Sequence, residues 1–277
     1  MNLLSEIVSS KQRRVDHAKQ LVPLAQMRAM ANQARLGSRL HAFASALANT
    51  DKINIIAEFK RRSPSKGEIR RDADPVITAR AYESAGASAV SVLTEEDYFG
   101  GSLDDLHAVR NAISLPILRK DFVFDEYQVY ESAAAGADAV LLIVAALDDE
   151  SLGRLHRITE DELGMDALVE VHTAGEMTRA AACGAGIIGV NNRDLQTFKV
   201  SLETSVQLAS IASTGSVLIS ESGIASAGDI RRLRSVGYRA FLIGESLMRA
   251  DDPGEALGIF TQRRKGAKEF GASEWSE

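Results

Sequence analysis

Eight short apolar, β-rich segments recur along this 277-residue chain, each followed by a stretch with helical periodicity. The candidate strands are residues 53–60, 89–94, 116–121, 139–144, 166–172, 187–192, 217–222 and 240–244. The amphipathic stretches that follow them are Pro75–Ser84, Leu103–Ala112, Glu126–Ala135, Asp148–Leu163, Ala174–Ala182, Leu202–Ala212, Ala227–Ser235 and Pro253–Arg264. Alternation of this kind builds βαβ units and hence a parallel sheet. A weak internal repeat narrows the choice. Ala85-Gly86-Ala87, Ala135-Gly136-Ala137, Cys183-Gly184-Ala185 and Val236-Gly237-Tyr238 each end a helix just before a strand, where glycine supplies a left-handed helix terminus. The glycines are 50, 48 and 53 residues apart, so each interval spans two βα units. Four double units give eight strands, the number that closes a (β/α)8 TIM barrel. An open doubly wound sheet is the structural rival, but it would not need so regular a repeat.

The length suits one such barrel, which commonly runs to about 250 residues as a single unit. About fifty residues precede the first strand and carry two helical patterns, Leu3–Lys19 and Ser38–Ala48. Residues 1–50 therefore read as an N-terminal helical extension that covers one end of the barrel or caps its site, with the barrel over 51–264. Residues 265–277 are mostly small and polar, with Phe270 and Trp275, and read as a frayed tail. With 45% hydrophobic and 25% charged residues the composition is that of an ordinary soluble globular chain. No apolar run approaches the ~18 residues that span a bilayer, and the charged N-terminus lacks a signal-peptide core. The expectation is a cytoplasmic protein with no membrane partner. The single cysteine, Cys183, excludes an internal disulfide, and with no histidine in its motif it reads as a buried structural thiol.

A net charge of −6 means that any anionic ligand must be held by a local positive cluster. The densest cluster is Lys60, Arg61, Arg62, Lys66, Arg70 and Arg71. No aromatic residue interleaves with it beyond Phe59, which argues against nucleic acid as the partner.

That cluster begins in Ile55-Ile56-Ala57-Glu58-Phe59-Lys60-Arg61-Arg62-Ser63-Pro64-Ser65-Lys66-Gly67, an apolar strand that breaks into a loop rich in hydroxyls and free N–H groups. Side chains alternate across a strand, so Glu58 and Lys60 share one face and Phe59 points to the other. Ionisable groups on such a strand are costly unless used or paired; a simple ion pair is one account of them. In a barrel, chemistry sits at the strand C-termini. The odd strands end in Glu58/Lys60, Lys120, Glu170 and Glu221, whereas the even ones end in Thr94, Ala145, Asn191 and Gly244. A structural ring of ion pairs is one reading of this set. Acid–base catalysis is the other, because lysines and glutamates in a partly desolvated site acquire shifted proton affinities. The seventh and eighth strand ends, Ser220-Glu221-Ser222-Gly223-Ile224 and Ile243-Gly244-Glu245-Ser246, place glycine-adjacent N–H groups where this fold binds phosphate. No His or Cys cluster has metal-ligand spacing. His172 lies two residues past Glu170 and reads as a packing or supporting side chain.

Together with the Glu58 strand and loop, the runs Leu118-Arg119-Lys120-Asp121-Phe122, Leu168-Val169-Glu170-Val171-His172, Ile188-Gly189-Val190-Asn191-Asn192-Arg193-Asp194-Leu195 and Ser220-Glu221-Ser222-Gly223-Ile224 resemble the indole-3-glycerol-phosphate synthase family. The similarity extends over nearly the whole chain, to about Arg249. It implies ring closure, decarboxylation and dehydration of 1-(2-carboxyphenylamino)-1-deoxyribulose 5-phosphate to indole-3-glycerol phosphate in tryptophan biosynthesis, with no metal and no organic cofactor. It also implies roles. Lys120 would be the general acid on the ketone oxygen, and Lys60 would hold the aryl carboxylate or share in proton transfer. Glu170 would be the base or shuttle for dehydration, with Glu58 and Asn191 orienting these groups. Arg193 and Glu221 would complete the polar wall. Ser63 and the N–H groups of Ser222, Gly223, Gly244 and Glu245 would hold phosphate, the Glu245 carboxylate then having to face away. The implied partner is a phosphorylated small molecule, with the protein a monomer or weak homo-oligomer. Two other readings stay open: a phosphoribosyl isomerase, which would want a Cys/Asp or Asp/Asp pair at its strand ends, and a non-catalytic sugar-phosphate sensor, which would lack Lys120 or Glu170.

Overall fold

Strands buried on both faces are near-continuous apolar runs, which is why eight of them stand out in the sequence. The computed structural model describes residues 3–194, 197–212 and 214–261. In it β1 (Asn54–Phe59), β2 (Ala89–Leu93), β3 (Ile117–Lys120), β4 (Ala139–Ile143), β5 (Asp166–Val171), β6 (Ile187–Asn191), β7 (Val217–Glu221) and β8 (Ala240–Ile243) pair in chain order. Closure comes from β8 lying parallel to β1, in register from Asn54↔Ala240 to Ala57↔Ile243. The fold is the expected (β/α)8 TIM barrel, and the open sheet is excluded.

The outer ring holds α4 (Pro75–Ser84), α5 (Leu103–Ala112), α6 (Glu126–Ala134), α7 (Asp149–Arg157), α8 (Ala174–Ala182), α9 (Glu203–Ala209), α10 (Ala227–Ser235), the short α11 (Glu245–Arg249) and α12 (Pro253–Thr261). Residues 262–264 of the last expected helix, and the tail at 265–277, lie outside the described residues. Asp74, Ser102, Asp125, Asp148, Thr173 and Ser226 start their helices by accepting a backbone N–H. The repeat glycines Gly86, Gly136, Gly184 and Gly237 have φ of 88°, 90°, 85° and 107°, the left-handed terminus their spacing predicts. Cys183 ends α8 half-buried rather than buried, its thiol donating to the Ala180 carbonyl.

Two cores result. Ile56, Leu118, Leu141, Leu168, Ile219 and Leu242 fill the barrel interior, while Phe59, Val92, Val140 and Val169 face outward to the helices. Phe43 and Leu47 of α3 (Ala42–Leu47) join the interior cluster and plug the end where the strands begin. Asp166, the first residue of β5, fixes that plug: one oxygen accepts the N–H groups of Phe43 and Ala44 at 3.0 Å.

The opposite end is walled by α1 (Leu3–Leu21). Its Lys11 is 3% exposed and reaches Glu96 at 2.7 Å and Asp121 at 2.9 Å. Asp121 in turn holds the buried Arg119 at 2.9 Å. Helix α3 lies at one end of the barrel and α1 at the other. Between them lies α2 (Leu24–Arg35), which the sequence reading passed over. Its buried stripe on α6 is short, Met27 and Ala31, and Arg28 adds a cation–π contact 4.7 Å from the Tyr130 ring.

Candidate active site

Barrel closure brings the ends of the odd strands together. Lys120, the last residue of β3, places its Nζ 2.8 Å from Glu170 Oε2 on β5 and 3.0 Å from Glu221 Oε2 on β7. Beside them Lys60 Nζ lies 2.5 Å from Glu58 Oε1. Glu58, Glu170 and Glu221 are each under 5% exposed. Ion pairs do form, but they line a cavity of about 680 Å³ instead of a sealed core. Glu58, Lys60, Ser63, Lys120, Glu170, Asn191, Arg193, Glu221, Ser222, Gly223, Gly244 and Glu245 all line that one cavity.

Burial alone would lower the proton affinity of Lys120, but the carboxylates of Glu170, Glu221 and Glu58 outweigh it and raise it above the ordinary lysine value. Burial pushes Glu170 up; the Lys120 ammonium, His172 and a side-chain hydrogen bond from Asn191 pull it down to about 2. Glu221 goes the other way. Burial, reinforced by the Glu170 and Glu58 charges and only partly offset by Lys120, raises it to about 7. Two glutamates on one lysine therefore have separated proton affinities, the pattern expected where one is kept as a base and the other carries a proton.

The end of the cavity beside β7 and β8 is built from loops. Ser222 and Gly223 follow β7 with φ of 67° and 81°, and a side chain at Gly223 would meet Val200 Cγ1 at 2.4 Å. Asn192, buried and given no role in the sequence reading, staples this loop: its Nδ2 donates to Ser220 Oγ at 2.9 Å, the Glu221 carbonyl at 3.0 Å and the Ser222 carbonyl at 3.1 Å. Gly244 has an ordinary φ of −131°, so conformational freedom is not why glycine stands there. A Cβ would land 2.3 Å from Glu58 Oε1; close packing on the Glu58 side chain demands the glycine.

Glu245 departs from expectation. Its carboxylate does not face away but lies 3.2 Å from Arg249 and 3.8 Å from both Lys66 and Arg193. Three cations surround it, and it answers their field. Arg193 also donates to Ser65 Oγ at 3.2 Å, tying the β6 loop to the loop after β1.

The apolar wall was invisible in the sequence. Leu3, Leu4 and Ile7 of α1 join Phe99 and Phe122, whose ring centroids are 6.2 Å apart. Phe122 stood in a recognised run and could have been found there; the α1 residues carry no signal beyond amphipathicity. Among the described residues no group of three or more His, Cys, Asp and Glu side chains could hold a metal ion.

The sequence model of the indole-3-glycerol phosphate synthase family matches residues 4–258. The chain belongs to that family. It is 48% identical over 261 residues to the indole-3-glycerol phosphate synthase of Carboxydothermus hydrogenoformans, covering 92% of this chain and 98% of that one. The synthase of Laribacter hongkongensis is 46% identical, with 92% and 97% covered, and that of Bacteroides thetaiotaomicron 44%, with 94% and 97% covered. Family membership makes this chain a carboxy-lyase of tryptophan biosynthesis acting on a phosphorylated small molecule. Among solved structures, thiamine phosphate pyrophosphorylase from Pyrococcus furiosus matches with a TM-score of 0.57 at 15% identity, covering 77% of this chain and 96% of its own. KGPDC from Streptococcus mutans matches at 0.59 and 13%, with 76% and 97% covered. At such identities the likeness concerns the barrel alone. Among the described residues no helix is long and apolar enough to cross a membrane.

Proposed function

We propose that Lys120 is the acid–base centre of this site, working between Glu170 and Glu221 on 1-(2-carboxyphenylamino)-1-deoxyribulose 5-phosphate. The observation that carries the reading is its Nζ, within 3.0 Å of two buried carboxylates whose proton affinities are pushed apart. The substrate has an aryl carboxylate at one end and a phosphate at the other. The site offers cations for both: Lys60, which lines the cavity next to Glu58, and Lys66, Arg193 and Arg249 beside the β7 and β8 loops. The aryl ring rests on Phe99, Phe122 and the α1 leucines.

Ring closure begins when the aryl carbon bearing the carboxylate attacks the ketone carbon. Negative charge grows on the ketone oxygen, and Lys120 donates to it. An ammonium held this firmly gives its proton only to a strongly basic oxygen, which is what the developing alkoxide is. Glu221 at 3.0 Å returns the proton to Lys120. Carbon dioxide then leaves from the same aryl carbon, its bonding electrons restoring the aromatic ring. Dehydration removes the new hydroxyl as water and a proton from the adjacent carbon; Glu170 takes that proton, and a lysine protonates the leaving hydroxyl. Glu58 orients Lys60, and Asn191 orients Glu170. Ser63 and the amides of Ser222, Gly223, Gly244 and Glu245 hold the phosphate, which displaces the Glu245 carboxylate from its cations.

No nucleic acid enters this reading. Arg61 is committed to Asp105, at 2.5 and 2.9 Å, and Arg70 donates to the Ala250 carbonyl, so the basic cluster is not a free patch. We read the protein as a cytoplasmic monomer or weak homo-oligomer, with residues 1–50 extending the barrel. Adding the carboxyphenylamino ribulose phosphate and following indole fluorescence tests the activity; an inert, well-folded protein would refute it.

A further inference from the structure

Glu170 has a second neighbour, the His172 ring, that the steps above do not use. His172 is the first residue past β5 and shares a strand face with Glu170. It does not line the cavity, so anything it does to the substrate passes through Glu170. Its Nδ1 lies 3.2 Å from Glu176 Oε2, and the same oxygen accepts the His172 backbone N–H at 2.8 Å. Glu176 is itself fixed in the first turn of α8, its own N–H donating to Thr173 Oγ1 at 3.2 Å. With Nδ1 bound to a carboxylate, Nε2 is aimed at Glu170 Oε1, 3.5 Å away. It is buried and has no other partner among the described residues.

We infer that His172 is a positioning residue for Glu170, a half-buried imidazolium that Glu176 orients so that each oxygen of the Glu170 carboxylate faces a cation. Oε2 faces Lys120 and Oε1 faces His172. A neutral ring would point a lone pair at a carboxylate, a repulsion that a proton on Nε2 turns into attraction. Burial opposes that proton, but Glu176, Glu170 and Glu221, from α8, β5 and β7, together raise the affinity of His172 above its ordinary value. When Lys120 turns to the substrate, Glu170 keeps one charged anchor and the same orientation.

The inference rests on Glu170 acting as the base, so the test measures the two separately. Imidazole ¹⁵N NMR across pH, assigned by loss of the signal in His172→Gln, should show both His172 nitrogens protonated at neutral pH. Glu170→Gln and Glu176→Gln should each let the ring lose its proton at lower pH. His172→Leu should lower kcat at least ~10-fold with KM within about twofold, the pattern of lost orientation at an acid–base group, and His172→Gln should recover part of the rate. A titration that ignores Glu170→Gln, or a wild-type kcat in His172→Leu, would overturn the assignment. If Glu170→Gln itself turned over normally while the His172 titration still responded to it, the reading of Glu170 as base would fall and the role of His172 with it, leaving only the contact.

Discussion

Lys120 and Glu170 meet at 2.8 Å across the barrel mouth although fifty residues separate them in the chain. Each stands at or next to the end of its strand, and only closure of the sheet makes them neighbours. A structural partner of Lys120 needs charge and fit, whereas a base needs a titrating carboxyl. Glu170→Gln keeps shape and removes proton transfer. It should bind product with similar affinity and turn over at least ~10²-fold more slowly. Steady-state kinetics beside a product-binding titration checks this.

Glu221 makes a prediction about pH. Its folded-state affinity is raised from 4.5 to about 7, so between these pH values the folded protein holds a proton that the unfolded chain releases. Stability from this group is therefore present at the acid end and lost as pH rises from about 4.5 to about 7. Glu170, lowered from 4.5 to about 2, acts oppositely, its contribution being present above about 4.5 and lost as pH falls from there to about 2. Replacing Glu221 with Gln removes the first slope. The Tm of the variant relative to wild type should climb across that window, measured by calorimetry at stepped pH.

The loop after β7 supplies the third. Gly223 sits at φ 81° against Val200, so a branched side chain there strains the backbone and displaces the loop. Gly223→Val should raise KM for the phosphorylated substrate at least ~10-fold, equivalent to about 1.4 kcal/mol, with a smaller effect on kcat and only a modest drop in Tm.

Much of this was legible in the chain. Parallel strands buried on both faces announce themselves as apolar runs, and a charged residue at the end of such a run is conspicuous, so Glu58, Lys120, Glu170 and Glu221 could be found individually. Which glutamate serves which lysine could not be, because the partners lie on different strands and the pairing is fixed by barrel geometry. The Glu245 carboxylate was misplaced for a related reason: its surroundings, Lys66, Arg193 and Arg249, come from three separate segments. The role of Asn192 was hidden because a buried amide that staples two loops leaves no periodic trace. Helix α2 was missed since only Met27 and Ala31 mark its inner face, although its alanine-rich sequence after Pro23 carries helix propensity.

The wall of the site depends on Lys11. It bridges Glu96 and Asp121 while nearly inaccessible, and it anchors the helix that carries Leu3, Leu4 and Ile7. Lys11→Ala leaves Asp121 short of a cation and frees α1. Loss of one partner from a buried ion pair destabilises by about 3 kcal/mol. Thermal unfolding should show that loss, and KM should rise because the aryl ring has lost part of its apolar floor.

The most direct test is on Lys120 itself. Lys120→Ala, checked for folding by circular dichroism, should turn over carboxyphenylamino ribulose phosphate at least ~10²-fold more slowly than wild type, as removal of an acid–base group does. Near-normal turnover in the folded variant would contradict an acid–base centre at Lys120.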